Sequence, residues 1–428
     1  MKLNYRRTIL AGLAFMAIFS FWQTYDNIVP LILKNSFQMN EVMTGVVMAA
    51  DNVLALFLLP LFGTLSDKTN TKWGKRKPYI VIGSLLTVVA IAFMPIGDNA
   101  RSLPMFLIST GLVLLFMAFF RSPTVALMPD VTPRPLRSKG NAIINLMGTV
   151  GAIYALIMTR VLVGDGLTPD YTLLFWSVII FILVSIAVLT LTVNENKWAQ
   201  EARKQETKEP EGEAEPEKSG SKGKLSRPKK VSLIFLLLSV AFWYMAYNAV
   251  TSAFSRYATE VWKLESGGYA DCLMVATVAA VISYVPLGFL ASAIGRKKSI
   301  LLGVVGLFAG FAYVGFFGTY HFMINAGFVL VGVSWAAINV NSFPMVVEIA
   351  NDGDVGKYTG YYYVFSMAAQ ILTPILSGVL LQNVSYVTLF PYSCIFSALA
   401  FFTMLRVKHG DSKPIAKKSM LENFDVDD

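Results

Sequence analysis

Long apolar stretches alternate along the chain with short polar breaks. Each stretch has about the ~20 residues that a helix rising ~1.5 Å per residue needs to cross ~30 Å of hydrocarbon. Twelve such windows predict twelve helices, at approximately residues 8 to 33, 41 to 65, 79 to 96, 105 to 128, 141 to 163, 171 to 193, 231 to 256, 269 to 291, 299 to 319, 322 to 348, 358 to 381 and 386 to 405. The first window is too long for the apolar core of a secretion signal, and no small-residue cleavage site closes it, so it counts as a helix. Between the sixth and seventh windows runs "NENKWAQEARKQETKEPEGEAEPEKSGSKGKLSRPKK", which has nothing apolar to bury and predicts a disordered or partly helical tether. The expected organisation is therefore an N-terminal six-helix bundle over 1–193, a charged cytoplasmic linker over 194–230, a C-terminal six-helix bundle over 231–405 and a cytoplasmic tail over 406–428.

Composition agrees with the pattern: 55% of residues are hydrophobic, 15% are charged and the mean hydropathy is +0.57, against the roughly 25% charged residues of soluble domains. The class is all-α and polytopic. With the N-terminus inside, 30 of the 36 Lys and Arg residues fall in cytoplasmic segments, so the positive-inside rule places both termini in the cytoplasm of a cell (inner) membrane. The net charge of +9 then reflects topology and attraction to anionic lipid, and no nucleic acid is called for. Two cysteines, Cys272 and Cys394, have no metal spacing. No phosphate-binding Gly-rich motif occurs, and His321 and His409 have no triad around them, so ATP-driven transport, an enzyme, a cofactor and a metal are all unsupported.

The two halves carry traces of a repeat. Phe21, Trp22 and Asn27 in the first window correspond to Phe242, Trp243 and Asn248 in the seventh. Pro123, Asp130, Arg137 and Gly140 at the end of the fourth correspond to Pro344, Glu348 with Asp352, Lys357 and Gly360 at the end of the tenth. Parallel halves of this kind are one of the common plans of transporters. After the second window comes "GTLSDKTNTKWGKRKPYIVIG", in which Gly63 allows close helix approach and Asp67 can pair with Lys75, Arg76 or Lys77. The equivalent place in the second half reads "GFLASAIGRK", with Gly288, Gly295 and Arg296, and with Ser292 where the first half has Asp67.

These loops resemble the major facilitator signature G-x-x-x-D-[RK]-x-G-[RK]-[RK], the first with four extra residues before Gly74. The lengthened form, together with "PDVTPRPLRSKGNAIINLMG", is similar to the glycoside-pentoside-hexuronide cation symporters and the sucrose transporters. The resemblance implies two six-helix bundles around a central cavity lined by helices one, four, seven and ten, with Asp67 and the basic loop acting as a gate. It also marks two departures. Melibiose-type sodium permeases carry two acids on the second helix where this chain has Ala55 and Leu59, which favours protons over sodium. Plant sucrose transporters carry an acid on the fourth helix where this chain has Arg121.

The residues point to the same places. A lipid-facing carboxylate costs about 2.5 to 3.5 kcal/mol at mid-bilayer, so Asp26 is expected to face protein or water. Gln23, Asp26, Asn27 and Pro30 share one helical stripe, as do Tyr244, Tyr247, Asn248, Thr251 and Ser255, with Trp22 and Trp243 beside them. Amides satisfy pairs of sugar hydroxyls and aromatic faces cover sugar C–H faces; interhelical hydrogen bonding and interfacial aromatics are the alternative. Asn52, Arg121, Trp335, Asn339 and Gln370 extend the candidate substrate site, and Asp26 and Asp51 are the candidate proton carriers. Arg121 has Asp26, Asp51 and Asp130 as available acids, in a switchable or a static pair. Arg160 and Arg256 are expected to snorkel to the outer surface. Gly148 and Gly151, and Gly303, Gly306, Gly310, Gly315 and Gly318, are expected to allow close helix contact. The expected function is proton-coupled import of a disaccharide or short oligosaccharide by a monomer in a lipid bilayer. An exporter of amphipathic compounds and a non-transporting receptor or scaffold are the alternatives.

Overall fold

A computed structural model describes residues 3–133, 136–166, 168–208, 226–265, 267–349 and 355–410. The linker residues 209–225, Asp352 and the tail beyond 410 lie outside the described residues. Thirteen α-helices are described: α1 Tyr5–Asn35, α2 Glu41–Lys68, α3 Lys77–Asn99, α4 Leu103–Val131, α5 Arg137–Leu162, α6 Thr172–Thr192, α7 Glu195–Lys208, α8 Arg227–Glu260, α9 Tyr269–Ile294, α10 Arg296–Gly315, α11 Ile324–Ile349, α12 Val355–Asn383 and α13 Leu389–Leu405.

Eleven of these are long and apolar enough to cross a membrane, and α9 contributes a shorter apolar stretch, Tyr269–Tyr284. The chain is a multi-pass membrane protein. α1, α3 and α4 begin and end two or three residues beyond their apolar windows, because backbone groups remain hydrogen-bonded along the helix after the side chains turn polar, whereas α6 stays within its window. α1 shows how an end is made: Asn4 accepts the Arg7 N–H through its side chain at 3.2 Å, freeing the chain to start its first turn. The tether is helical at its start, where α7 is charged and far too polar to be a span.

The chain divides into two compact units. Unit 1 holds residues 1–40, 50–209 and 264–274; unit 2 holds 41–49, 210–263 and 275–428. In unit 1, α1 packs on α4, α5 and α6, and α3 packs on α4 and α6. In unit 2, α8 packs on α11, α12 and α13, and α10 packs on α11 and α13. The second set is the first shifted by seven helices, so each unit repeats one packing plan. Phe21, Tyr25, Phe106, Phe120 and Phe175 fill unit 1, and Trp243, Phe254, Phe311, Phe328 and Phe390 fill unit 2. Side chains such as Leu173, Ile180 and Leu191 point outward, as suits helices solvated by lipid.

Lipid is as apolar as leucine, so within each unit helices associate through close packing at small residues. A Cβ at Gly151 would collide with the Met16 carbonyl oxygen of α1, and one at Gly332 with the Ala276 carbonyl oxygen of α9. Gly148 packs on the Phe19 ring, Gly303 and Gly306 on Ser334, Gly310 on Val331 and Gly315 on Phe390. Gly318 does not fit the expectation: it follows the end of α10 and meets nothing within 4 Å. Gly111, inside α4, is likewise open.

Gly151→Ala and Gly332→Ala are each expected to lower stability by about 1–3 kcal/mol through overpacking. Gly111→Ala is expected to raise it by about 0.5–1 kcal/mol through helix propensity. Thermal unfolding of the purified variants in one detergent measures all three.

Candidate functional site

In unit 1 the partly accessible positions of α1 recur at Leu13, Met16, Phe19, Trp22, Gln23 and Asp26. Asp26 lies close enough to Asp51 on α2 for their charges to act on each other, and Asp51 feels the charge of Arg121 on α4. Asn52 donates to the Asp51 carboxylate at 2.7 Å. The Arg121 guanidinium stands 6.0 Å from the Trp22 ring centroid, a cation–π distance. Trp22, Asp26, Asp51, Asn52 and Arg121 therefore belong to one neighbourhood.

Two expectations in this unit change. Asn27 is buried, and its amide donates to the Gln23 carbonyl at 2.8 Å, so it serves its own helix rather than the accessible stripe. Asp130 is no partner for Arg121, because it is bound to Arg76 at the far end of α4. The neighbourhood also includes a residue that periodicity did not single out. Tyr25 is fully buried, its hydroxyl has no hydrogen-bond partner among the described residues, and the charges of Asp51 and Asp26 reach it. Lying between Thr24 and Asp26 in an apolar run, it reads as a core aromatic.

In unit 2 the accessible stripe of α8 is Tyr244, Tyr247, Asn248 and Thr251. Tyr247 stacks on Trp335 of α11 with centroids 3.7 Å apart and planes 3° apart, and Tyr244 meets the same indole edge-on at 5.3 Å. The Tyr244 hydroxyl lies 3.4 Å from that of Tyr362, which is 3.0 Å from the Ser342 hydroxyl. Asn339 and Gln370 are partly accessible. Trp243 is corrected: it is fully buried and belongs to the core. Ser255 is buried too.

The α2–α3 loop is built around Arg76. Its guanidinium donates to Asp130 at 2.7 Å, to the Ser66 hydroxyl at 2.5 Å and to Asp67. Burial works against that charge, and Asp130 and then Asp67 outweigh the penalty, so the pKa of Arg76 is raised above its ordinary value. Gly63 lets α2 lie against Ser122 of α4, whose hydroxyl donates to the Leu59 carbonyl at 2.9 Å. Arg137, at the start of α5, donates to the Thr132 carbonyl at 3.4 Å.

A carboxylate from the tether completes the loop. Glu195, at the start of α7, accepts from the backbone N–H groups of Lys75 at 2.7 Å, Arg76 at 3.0 Å and Lys77 at 2.9 Å. These donors have no helical carbonyl to bond, and the first turn of α3 favours negative charge. Gly74 has φ +118°, and a Cβ there would strike the Glu195 carboxylate. α7 is further held by Arg7, which bonds Glu201 at 2.5 Å and lies 5.1 Å over the Trp198 ring. Unit 2 repeats the loop's core: Gly295 has φ +95° and precedes α10, whose first residue, Arg296, pairs with Glu348 near the end of α11. Gly288 lies on the preceding helix, α9.

The expected snorkelling of Arg256 is not observed. Arg256 is 1% exposed and forms an ion pair with Glu41. Arg160 is half-exposed and donates to Asp271 at 3.1 Å. Each found an acid that lies more than a hundred residues away in sequence, where periodicity gives no signal.

The model of the Major Facilitator Superfamily matches residues 9–270 and 236–423. Among curated proteins, the sucrose transport protein SUC3 of Arabidopsis thaliana is 25% identical over 120 residues, 24% of this chain and 20% of that protein. An uncharacterised MFS-type transporter of Schizosaccharomyces pombe is 28% identical over 115 residues, 27% of this chain and 25% of its own length. The matches thus span a fifth to a quarter of these relatives. Among solved structures, the inward-open xylose transporter XylE from E. coli has a TM-score of 0.69 at 14% identity, covering 97% of this chain and 98% of that one. A peptide transporter POT in complex with sulfate has a TM-score of 0.69 at 12% identity, with 93% and 92% covered. These likenesses show the fold.

Glu195→Gln replaces one acceptor oxygen with an amide that cannot accept, and is expected to cost about 1–3 kcal/mol. Hydrogen exchange at the Lys75, Arg76 and Lys77 amides should accelerate, with melting temperature falling less than for Gly74→Ala, which adds a strained φ to the lost contact. Unchanged exchange at these amides would remove Glu195 from this role.

Proposed function

Because the chain belongs to the Major Facilitator Superfamily, we propose that this transporter imports a glycoside, a disaccharide or short oligosaccharide, by proton symport with alternating access. The observation that carries the reading is the pair of partly accessible carboxylates, Asp26 and Asp51, set in otherwise apolar helices within reach of each other's charge. Acids inside a membrane segment are costly unless they do a job there, and proton relays are one such job. The aromatic group of unit 2 supports the choice of ligand: Tyr244, Tyr247 and Trp335 offer flat apolar faces beside hydroxyl and amide groups.

In this reading the candidate substrate contacts are Trp22, Gln23, Asp26, Asn52 and Arg121 in unit 1; in unit 2, taken by itself, they are Tyr244, Tyr247, Asn248, Trp335, Asn339 and Gln370. Asp26 and Asp51 carry the proton. Sodium is disfavoured because α2 has Ala55 and Leu59 one and two turns beyond Asp51. The similarity to a sucrose transport protein and to a xylose transporter points in the same direction. In this reading the protein works as a monomer in a cell (inner) membrane, and its Lys and Arg distribution supports the placement of both termini in the cytoplasm.

In proteoliposomes, an imposed pH gradient should drive accumulation of a labelled disaccharide, and a sugar panel without gradient-dependent accumulation would refute the reading. Asp26→Asn keeps the size of the side chain but cannot ionise. As a proton carrier it should retain sugar exchange and lose accumulation; as a sugar ligand it should lose binding, with Asp51→Asn as the matched comparison. Arg121→Gln partly restoring the folded yield of Asp26→Asn would instead assign a structural pair.

Tyr247→Ala and Trp335→Ala should each raise the half-saturating sugar concentration up to about tenfold, through the loss of one ring contact. The concentration dependence of exchange measures this separately from the proton gradient.

A further inference from the structure

In unit 2, α13 packs against both α8 and α10. The three helices form one wall, and each turns an apolar stripe outward. On α8 the stripe holds Val231 and Ile234, on α10 Leu302 and Val305, and on α13 Phe402 and Leu405, all between 45% and 64% exposed. Every stripe ends at an exposed cation, and all three do so at the same end of the unit. Arg227 stands one turn before Val231, Lys298 one turn before Leu302, and Arg406 one turn after Phe402, so charged and apolar positions share a helical face. Lys230, next to Val231, is exposed as well.

The chain just past α13 is fixed to both neighbours. The Lys408 N–H donates to the Ser232 hydroxyl of α8 at 3.1 Å, and that hydroxyl lies 2.8 Å from Nδ1 of His409. On the other side, Lys297 of α10 donates to the Leu405 carbonyl at 3.2 Å and to the Val407 carbonyl at 2.5 Å. Val407 is fully buried, while Arg406 and Lys408 on either side of it are exposed. The cations of the segment thus stand between those of α8 and α10.

These charges are not answered within the unit. Among the described residues of unit 2 the acids are Glu41, Glu260 and Glu348. Glu41 pairs with Arg256 and Glu260 lies 3.9 Å from Lys263, both at the other end of α8 from Arg227, and Glu348 is held by Arg296. Lys230, Lys298, Arg406 and Lys408 form no ion pair among the described residues. The corresponding helix starts of unit 1 differ: Arg7 pairs with Glu201, and Arg76 with Asp67 and Asp130.

Apolar stripes that end in free cations on three adjacent helices fit a molecule with apolar chains and an anionic head, and a bilayer supplies one. A soluble anion has no use for the stripes, and a zwitterionic lipid brings a cation of its own against the patch. We propose that this end of the α8, α13 and α10 wall is a docking surface for an anionic phospholipid, with its phosphate among Lys230, Lys298 and Arg406 and its chains along the exposed stripes. In the proposed topology it faces the cytoplasmic leaflet. The inference rests on the fold and the membrane setting, and not on the transport reading.

The melting temperature of the full chain in detergent, titrated with phosphatidylglycerol or with phosphatidylcholine, tests it. Phosphatidylglycerol should give a saturable rise, because a ligand of the folded state stabilises it, and phosphatidylcholine should give none. A basic residue at an anionic membrane surface is worth about a fivefold factor in affinity. Lys230→Gln, Lys298→Gln and Arg406→Gln should therefore each raise the half-maximal mole fraction of phosphatidylglycerol about fivefold, and the triple variant about a hundredfold. A parental midpoint in the triple variant would overturn the surface. Lys68→Gln, Lys72→Gln and Lys197→Gln together remove three exposed charges of unit 1 and should keep the parental midpoint; an equal loss there would reduce the effect to general surface attraction and overturn the site. An equal rise with phosphatidylcholine, or with inorganic phosphate alone, would overturn it in favour of chain solvation or a plain anion site. Should the triple variant melt differently before any lipid is added, mass spectrometry of the phosphatidylglycerol retained after delipidation decides instead: loss of bound lipid relative to the parent supports the surface, and parental retention overturns it.

Discussion

An ion inside an apolar helix must meet an opposite charge or water, and this requirement organises the chain. Arg76 holds Asp67 and Asp130, Arg296 holds Glu348, and Arg256 holds Glu41. Each pair ties the end of one helix to another, so solving the desolvation problem also fixes helix placement within a unit. Asp26, Asp51 and Arg121 are the exception. Among the described residues they form no ion pair with one another, yet their charges are felt across the group and Trp22 lies beside the cation. A charged group left so loosely compensated in a structure that elsewhere pairs its ions is where a proton or a ligand has something to gain.

Much of this was legible in the sequence because it is local or periodic. Twelve apolar windows became twelve apolar helices, the Gly and basic residues after α2 and α9 mark the two loops, and the stripe of Tyr244, Tyr247 and Asn248 follows from a period near 3.6. Asp26 announces itself by its contrast with its neighbours. Trp243 and Asn27 were misplaced for one reason: beside an accessible stripe, a single step around the helix separates the open side from the core, and apolar content on both sides leaves the border undrawn.

Partnership over long separations was not legible. Glu41 and Arg256 are 215 residues apart, and Glu195 and Arg76 are 119 apart. Nothing in the composition of either stretch selects the other. Glu195 was further disguised by its setting, since a run of Glu and Lys reads as a solvated tether. Its carboxylate is instead 3% exposed and fills a turn of free backbone donors. A polar segment after an apolar helix can therefore be part of the fold when the preceding loop presents unsatisfied N–H groups.

The repeat shows which of these devices the backbone plan itself requires. Lys77, the first residue of α3, donates to the Val193 carbonyl just past α6 at 2.7 Å; Lys297, the second residue of α10, donates to the Val407 carbonyl just past α13 at 2.5 Å. In both units a lysine at the start of the third helix satisfies carbonyls released at the end of the sixth, where helix polarity favours a cation. In both, a glycine with positive φ turns the chain into that third helix, and an arginine beside it pairs with an acid closing the fourth. These are the shared minimum for ending and starting helices at that place. What unit 1 has in addition is Asp67, where unit 2 has Ser292, and Glu195 in the turn. Arg76 thus gains a second acid and a loop fixed from outside the bundle, whereas Arg296 has its pair with Glu348 and a helix start with no side-chain cap. With the common scaffold accounted for by helix-end chemistry, and Glu195 by the free donors of the turn it fills, Asp67 is the acid that helix-end chemistry does not demand, and it is there that the chain departs from its own symmetry.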